Sequence, residues 1–276
     1  RSFGDHLSLE GKRLVFTAAA WFCHVLDLFA RIAQICAHEE DETRYRTLAQ
    51  TARDTFNERY FQDMPTQECE QYNYEGMNAG QTSNVLPLAF GLVPEGQTHW
   101  VVRNLVQNIR WHGYHPTTGV MATQYLLHVL SSHGAGDTAW RLLTQRTFPS
   151  WLYMIDQGAT TIWERWDADW TIATMNSRNH LALGAIGRWF YDTLAGIRPG
   201  EDGRGFQHLV IAPQPHGDLA FVRCRCNTLY GEVRVHWRRL DEGLELHLSL
   251  PANTQADVRL PVDGRPIRLL EEADRP

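Results

Sequence analysis

Residues 198–205 read Arg198-Pro199-Gly200-Glu201-Asp202-Gly203-Arg204-Gly205 and divide the chain into two parts of different character. Proline and three glycines among four charged side chains offer neither a helical nor a strand pattern, so the stretch reads as a linker. Upstream the apolar residues recur at helical steps. From Leu14 to Cys36 the residues Phe22, Val25, Leu26, Phe29, Ile32 and Ile35 fall every third or fourth position, which predicts a long amphipathic helix with that stripe buried. A second helix is predicted after His38–Glu42, with Tyr45, Leu48, Ala49, Ala52 and Phe56 on one face. The short link makes the two an antiparallel pair.

The pattern continues with helices near Thr82–Phe90, Gln97–Arg110 and Leu126–Leu130, and then one that Asp137 is placed to cap. A last helix is expected over Asn176–Leu194, giving about seven helices in serial pairs. Downstream of the linker the period changes to two. Leu209–Ile211 is a short apolar run, and Val233, Val235 and Trp237, then Leu244, Leu246, Leu248 and Leu250, then Val258 and Leu260, alternate with polar residues as half-buried strands do. Asp241-Glu242-Gly243 and Asp263-Gly264 mark turns between them. The expected division is an α-helical domain over residues 1–197 and a β domain over 198–276.

The chain has 276 residues, 43% of them hydrophobic and 21% charged, which excludes a disordered or collagen-like polymer. Thirty-two acidic residues outweigh 26 basic ones for a net charge of −6, the wrong sign for a phosphate-tracking protein, so no nucleic-acid partner is expected. No apolar run is read as reaching the length of a membrane span, so no membrane partner is expected either. The first residues, Arg1-Ser2-Phe3-Gly4-Asp5, contain neither Met nor a leader, which suggests a start inside a longer polypeptide. Cys23, Cys36, Cys69, Cys224 and Cys226 show no CxxC spacing and read as reduced thiols. That usage favours the cytoplasm over secretion, although a leader preceding Arg1 would leave the compartment open.

Chemistry concentrates between residues 151 and 189, where five of the ten tryptophans lie in what reads mostly as loop: Trp151, Trp163, Trp166, Trp170 and Trp189. Loops run over surfaces, so flat aromatics there suit a sugar-stacking platform, with plugging of the gaps between helix ends as the alternative. Trp163 and Trp166 flank Glu164. A carboxylate between two indoles is partly shielded from water, the setting in which a carboxyl group handles protons, so Glu164 is a candidate general base. A structural ion pair with Arg165 or Arg188 is the competing reading. Asp167 and Asp169 are candidates for a second carboxylate. His180 stands where a helix is expected to begin and could face a cleft. His112, His115, His128 and His133 lack HxxxH or HExxH spacing, so neither a metal nor any other cofactor is expected.

The run Asp156-Gln157-Gly158-Ala159-Thr160-Thr161-Ile162-Trp163-Glu164-Arg165-Trp166-Asp167, with Met175-Asn176-Ser177-Arg178-Asn179-His180 after it, resembles the paired signature of the bacterial α-L-rhamnosidases. Gln81-Thr82-Ser83-Asn84, Leu88–Pro94, Thr117-Thr118-Gly119, Leu143-Thr144-Gln145 and Pro149-Ser150-Trp151 are similar to further family segments. So are Ala195–Pro199, Gly205-Phe206 and Ile211–Pro215 at the junction, and Pro251–Thr254 with Val258–Pro261 beyond it. The resemblance runs nearly end to end and implies a mainly α chain with a C-terminal β domain: the later part of an (α/α)6 toroid, then an antiparallel β-sandwich. It implies hydrolysis of terminal α-L-rhamnosyl residues with inversion, on a rhamnose-containing oligosaccharide or glycoside.

By the same resemblance Glu164 is the general base, and His180, Trp163, Trp166, Asp5 and His6 contact the sugar or line the cleft, with Trp166 and Asp5 open to a supporting role. Two departures stand out. Gly4-Asp5-His6 replaces the family's Gly-Asp-Trp, and the Asp-Glu-Arg-Leu-Gly-Trp motif that holds the family's general acid is absent. Inversion needs two carboxyl groups roughly 6.5–9.5 Å apart, so the acid is expected in a missing N-terminal part of the same polypeptide. The chain alone is then expected to be inactive, with helix faces left uncovered and prone to self-association. The alternatives are a catalytically incomplete carbohydrate-binding or structural remnant, or another (α/α)6 glycosidase.

Overall fold

The computed structural model describes residues 4–11, 13–64, 69–72, 80–167, 177–200 and 205–261. They fall into two compact units, Arg1–Ile186 and Gly187–Pro276. The first is built from helices α1 (Leu14–Ile35), α2 (Glu39–Tyr60), α3 (Gln81–Ala89), α4 (Thr98–Trp111), α5 (Thr123–Ser132), α6 (Gly136–Leu143), α7 (Trp151–Asp156) and α8 (Leu181–Gly184). A β-hairpin, β1 (Phe61–Met64) with β2 (Cys69–Tyr72), lies between α2 and α3. Serial pairing is as expected: α1 packs on α2, α3 on α4 and α5 on α6. Across the pairs α1 meets α3, α3 meets α5 and α5 meets α8, while α4 meets α6. α1, α3 and α5 thus line up in one layer with α8 beside α5, and α4 and α6 pack in another. In the first layer, α3 is buried from Gln81 through Leu88.

The buried stripe of α1 is not the one that periodicity of bulky residues selects. Phe16, Ala20, Cys23, Leu26, Ala30 and Ala33 face inward, and Phe22, Val25, Phe29, Ile32 and Ile35 are exposed. Small side chains at a helix contact let the axes approach closely, and here Phe16 fills the seam from one end, with ring centroids 5.2 Å from Phe56 and 5.1 Å from Tyr60. The same helix corrects a second expectation, because Leu14–Ile35 is long and apolar enough to cross a membrane by length and composition. Its interruptions, chiefly Asp27 and Arg31, are too few to fail that test. In the structure Asp27 pairs with Arg53 of α2 at 3.3 Å.

Three other expectations are revised. Asp137 lies within the first turn of α6, whose N-cap is Ala135, and makes no cap bond. The helix expected over 176–194 starts only at Leu181, because Ser177–Asn179 forms a bend, His180 is extended, and the segment is tied to another loop. It is then interrupted: α8 is followed by α9 (Ile186–Trp189) and a π-helical turn, Phe190–Ala195. Gly184, a weak helix former, ends α8, and Gly187 lies inside the short α9; neither is needed for a close approach.

The second unit is two three-stranded sheets. One contains β3 (Ile197–Pro199), β4 (His208–Ile211) and β8 (Gln255–Val258); the other is the antiparallel meander β5 (Phe221–Thr228), β6 (Gly231–Leu240) and β7 (Gly243–Ser249). Arg198 and Pro199, read as linker, are therefore strand residues, and 201–204 lie outside the described residues, as does the Asp263-Gly264 turn. β8 joins β4 in parallel, which becomes possible because the whole meander intervenes between them. In β8 it is Ala256 that packs inward, while Val258 is exposed. Leu209 and Ile211 from one sheet and Val233, Val235 and Trp237 from the other share a single apolar core with Ala195 and Ile197. Trp237 Nε1 donates to the Leu194 carbonyl at 2.7 Å, which satisfies its polar atom inside that core. Gly196 (φ 76°) makes the turn into β3, where a Cβ would lie 2.2 Å from the Ala212 carbonyl carbon.

Candidate active site

Two loop segments meet beside α8. Glu164 N–H donates to the Ser177 carbonyl at 2.9 Å, His180 N–H to the Ile162 carbonyl at 2.9 Å, and the Thr161 hydroxyl to the Arg178 carbonyl at 2.5 Å. The segment carrying Glu164 is thereby stitched to the segment carrying His180, which is why the latter cannot be helical. Glu164 Oε1 and His180 Nε2 end up 4.0 Å apart, with side-chain exposures of 14% and 29%. His180 is also the N-cap of α8: its Nδ1 accepts from the Ala182 N–H at 3.2 Å. A ring nitrogen that accepts carries no proton, so in the neutral ring the proton sits on Nε2, the atom turned toward Glu164. At 4.0 Å the two do not hydrogen-bond directly.

Arg165 and Arg188, the arginines considered as partners of Glu164, hydrogen-bond other carboxylates. Arg165 grips Asp167 bidentately at 2.9 and 2.8 Å, and Arg188 bonds Asp192 at 2.7 Å. The Arg165 guanidinium holds the Asp167 carboxyl below the usual carboxylate range. Asp167 is thus an anion at neutral pH with its oxygens occupied, unsuited to donating a proton. Asp169 lies outside the described residues.

The tryptophans are not surface platforms. Trp163 and Trp166 are each only 2% exposed, and Trp151 and Trp189 are likewise buried; Trp170 lies outside the described residues. Trp151 and Trp189 stand on short helices rather than in loop. Trp166 Nε1 donates to the Thr118 carbonyl at 2.9 Å, Trp151 Nε1 to the Leu183 carbonyl at 3.0 Å, and the two indoles meet edge to face with centroids 5.0 Å apart. Satisfied and packed on both faces, these rings form the floor that ties the loop before α5 to α8.

Asp5 is also structural. It is 0% exposed, and its carboxylate accepts from the Thr82 hydroxyl (2.5 Å) and from the N–H groups of Gly119 (2.8 Å), Met121 (2.9 Å) and Ala122 (3.2 Å). Burial pushes its pKa up, and the four donated bonds pull the other way. With every acceptor position used by the protein, Asp5 has nothing to offer a sugar. His6 is half-buried at the rim of this loop, held by its carbonyl accepting from Val120 N–H at 2.8 Å. The structure therefore brings Glu164 and His180 together directly, and places Trp166 and Asp5 on either side of the 117–122 loop as support.

Thr82, Thr118 and Gly119 carry that support, and their only sequence signal was membership in segments similar to the family. A Cβ at Gly119 would lie 2.2 Å from the His6 carbonyl oxygen and 2.6 Å from Ser8 N. Both obstacles are backbone, so neither can rotate away. Gly119→Ala should destabilise the helical unit by about 2 kcal/mol, read as a fall of roughly 5 °C in Tm; an unchanged melting curve would show that the two loops are not clamped here.

The model of the bacterial alpha-L-rhamnosidase 6 hairpin glycosidase domain matches residues 2–194, and that of the bacterial alpha-L-rhamnosidase C-terminal domain matches 196–272. The chain belongs to the bacterial α-L-rhamnosidase family. Its helical hairpins are the later part of an (α/α)6 toroid, and the two sheets are the β-sandwich that follows. Among its rhamnosidase relatives, an alpha-L-rhamnosidase of Streptomyces avermitilis is 38% identical over 269 residues, covering 95% of this chain and 25% of that protein. One of Alteromonas sp. is 31% identical, covering 93% and 29%. The crystal structure of the Streptomyces avermitilis enzyme complexed with L-rhamnose superposes with a TM-score of 0.85 at 36% identity, covering 95% of this chain and 25% of that one. An alpha-L-rhamnosidase structure from Dictyoglumus thermophilum gives 0.84 at 34% identity, covering 94% and 28%. The chain thus spans about a quarter of the length of these rhamnosidases.

Proposed function

We propose that this chain supplies the general-base side of an inverting α-L-rhamnosidase. The single observation that carries the reading is the convergence of the Glu164 carboxylate and the His180 Nε2–H in a family whose relatives are named for rhamnoside hydrolysis. Two groups 4.0 Å apart can both reach one water about 2.8 Å from each. Glu164 then takes a proton from that water while its oxygen attacks the anomeric carbon, and His180 donates to the water oxygen or to a sugar hydroxyl and fixes its orientation. The C–O bond to the aglycone breaks on the opposite face, and its oxygen must be protonated by an acid roughly 6.5–9.5 Å from the base. Asp167, already ionised, does not fill that role, so the acid comes from another part of the polypeptide. We assign residues 1–197 to the catalytic toroid and 198–276 to the sandwich, with terminal α-L-rhamnosyl residues as substrate and His6, at the rim, as a further sugar contact.

The test is hydrolysis of p-nitrophenyl α-L-rhamnoside followed by proton NMR. A polypeptide that joins this chain to its general acid releases β-L-rhamnose first, and the isolated chain releases none. Initial appearance of the α anomer, or turnover by the isolated chain, defeats the assignment; a different sugar released in preference would point to another (α/α)6 glycosidase.

A further inference from the structure

We propose that the outward face of the β5–β6–β7 sheet binds a polyuronate, a glycan that presents carboxylates along its chain. The inward positions of these strands, among them Cys224, Cys226, Val235 and Leu246, pack on the sandwich core, so alternate residues point away from it. Outward stand Arg223, Arg225, Arg234, Arg238, His236 and His247, against only two acidic side chains, Glu232 and Glu245. This happens in a chain of net charge −6, so the basic face is a local arrangement and not a result of composition.

The register sharpens the point. Arg225 lies directly opposite Arg234, and Arg223, His236 and His247 form one row across the three strands. Like charges directly opposite one another destabilise a sheet; desolvation lowers the pKa of His236, and the neighbouring Arg223 and Arg238 push it the same way. Glu232 bonds Arg234, and Glu245 bonds Arg238 and His247. Among the described residues neither Arg225 nor Arg223 has an ion-pair partner; Arg223 donates to the His236 ring at 3.4 Å. The arrangement disfavours the sheet by itself and suits an anion laid across it. Guanidinium forks match carboxylates bidentately, and at the edge the exposed ring of Phe221, with Arg223 over it at 5.7 Å, offers a face to a sugar. A single such ring is poor provision for the successive stacking that single-stranded nucleic acid uses. The choice of a glycan among polyanions rests on the glycosidase reading above.

The test is affinity electrophoresis of the full 276-residue chain through polygalacturonate, its fully methyl-esterified form, and single-stranded DNA, at matched salt. The acid polymer should retard the chain, the ester at least tenfold less, and the double variant Arg223→Glu, Arg225→Glu should bind the acid polymer about tenfold more weakly. Both sites are exposed and the second substitution replaces a like-charge pair by a carboxylate opposite Arg234, so a Tm no lower than that of the wild type is expected and certifies the fold. No retardation, equal retardation by the ester, stronger retention by DNA, or an unaffected double variant would each overturn the proposal. Because no turnover is involved, Glu164→Gln should bind like the wild type, so the outcome is independent of the assignment of the base.

Discussion

Glu164→Gln should lower kcat for α-L-rhamnoside hydrolysis by about 10²–10⁴-fold in the polypeptide that carries this chain, the range expected when a positioned general base is removed. The amide has the size and hydrogen-bonding reach of the carboxylate but cannot accept the proton that the attacking water must lose. That deficit exists only in the transition state, so KM should stay within about threefold while kcat and kcat/KM fall together. A small anionic nucleophile such as azide needs no base and should partly restore turnover, giving the glycosyl azide. Steady-state kinetics with an aryl rhamnoside decide the matter: a variant retaining most of its kcat would mean that water is deprotonated elsewhere, and a large rise in KM alone would make Glu164 a binding residue.

A second large effect is expected far from the reacting atoms. Asp5→Ala removes the acceptor for four donors, the Thr82 hydroxyl and the N–H groups of Gly119, Met121 and Ala122, in a place closed to solvent. Each donor left unpaired costs about 1–3 kcal/mol, and partial entry of water makes about 4 kcal/mol a reasonable total. Against the 5–15 kcal/mol that typically stabilises a domain, this is a large share. Urea unfolding should show it as a drop in midpoint with little change in slope. Asp5→Asn, which keeps one oxygen, should lose less. A shift below about 1 kcal/mol for the alanine variant would mean that the 117–122 loop is held by something else.

Where local pattern decides structure, the sequence was legible. The serial helix pairs follow from apolar residues every third or fourth position, and the strands β6 and β7 from strict alternation. Pattern misled where size and hydrophobicity part company: on α1 the large residues Phe22, Phe29 and Ile32 stand outside, because close packing on α2 favours Ala30 and Ala33. β5 went unread because Arg223, Arg225, Cys224 and Cys226 conceal an alternating strand behind residues that are usually weighed for charge or redox chemistry, and the β1–β2 hairpin sits in a stretch with no apolar run. In the site, Glu164 and His180 were recognisable from the motif and from chemistry. The burial of the neighbouring indoles was not, since what covers them lies far off in sequence: Trp166 bonds Thr118, 48 residues away, and Trp151 bonds Leu183, 32 away. A loop position implies exposure only when nothing distant folds over it.

That last arrangement has a practical use. Trp151, Trp163 and Trp166 are shut away from water in the unit that carries Glu164, whereas Trp111 is 81% exposed. Indoles in an apolar setting emit toward the blue, so these three, together with the equally buried Trp189 and Trp237, should make up the short-wavelength edge of the spectrum and shift red when their surroundings loosen. Replacing Trp189 and Trp237 by Phe would leave an optical gauge of the packing around Glu164, readable with no sugar present.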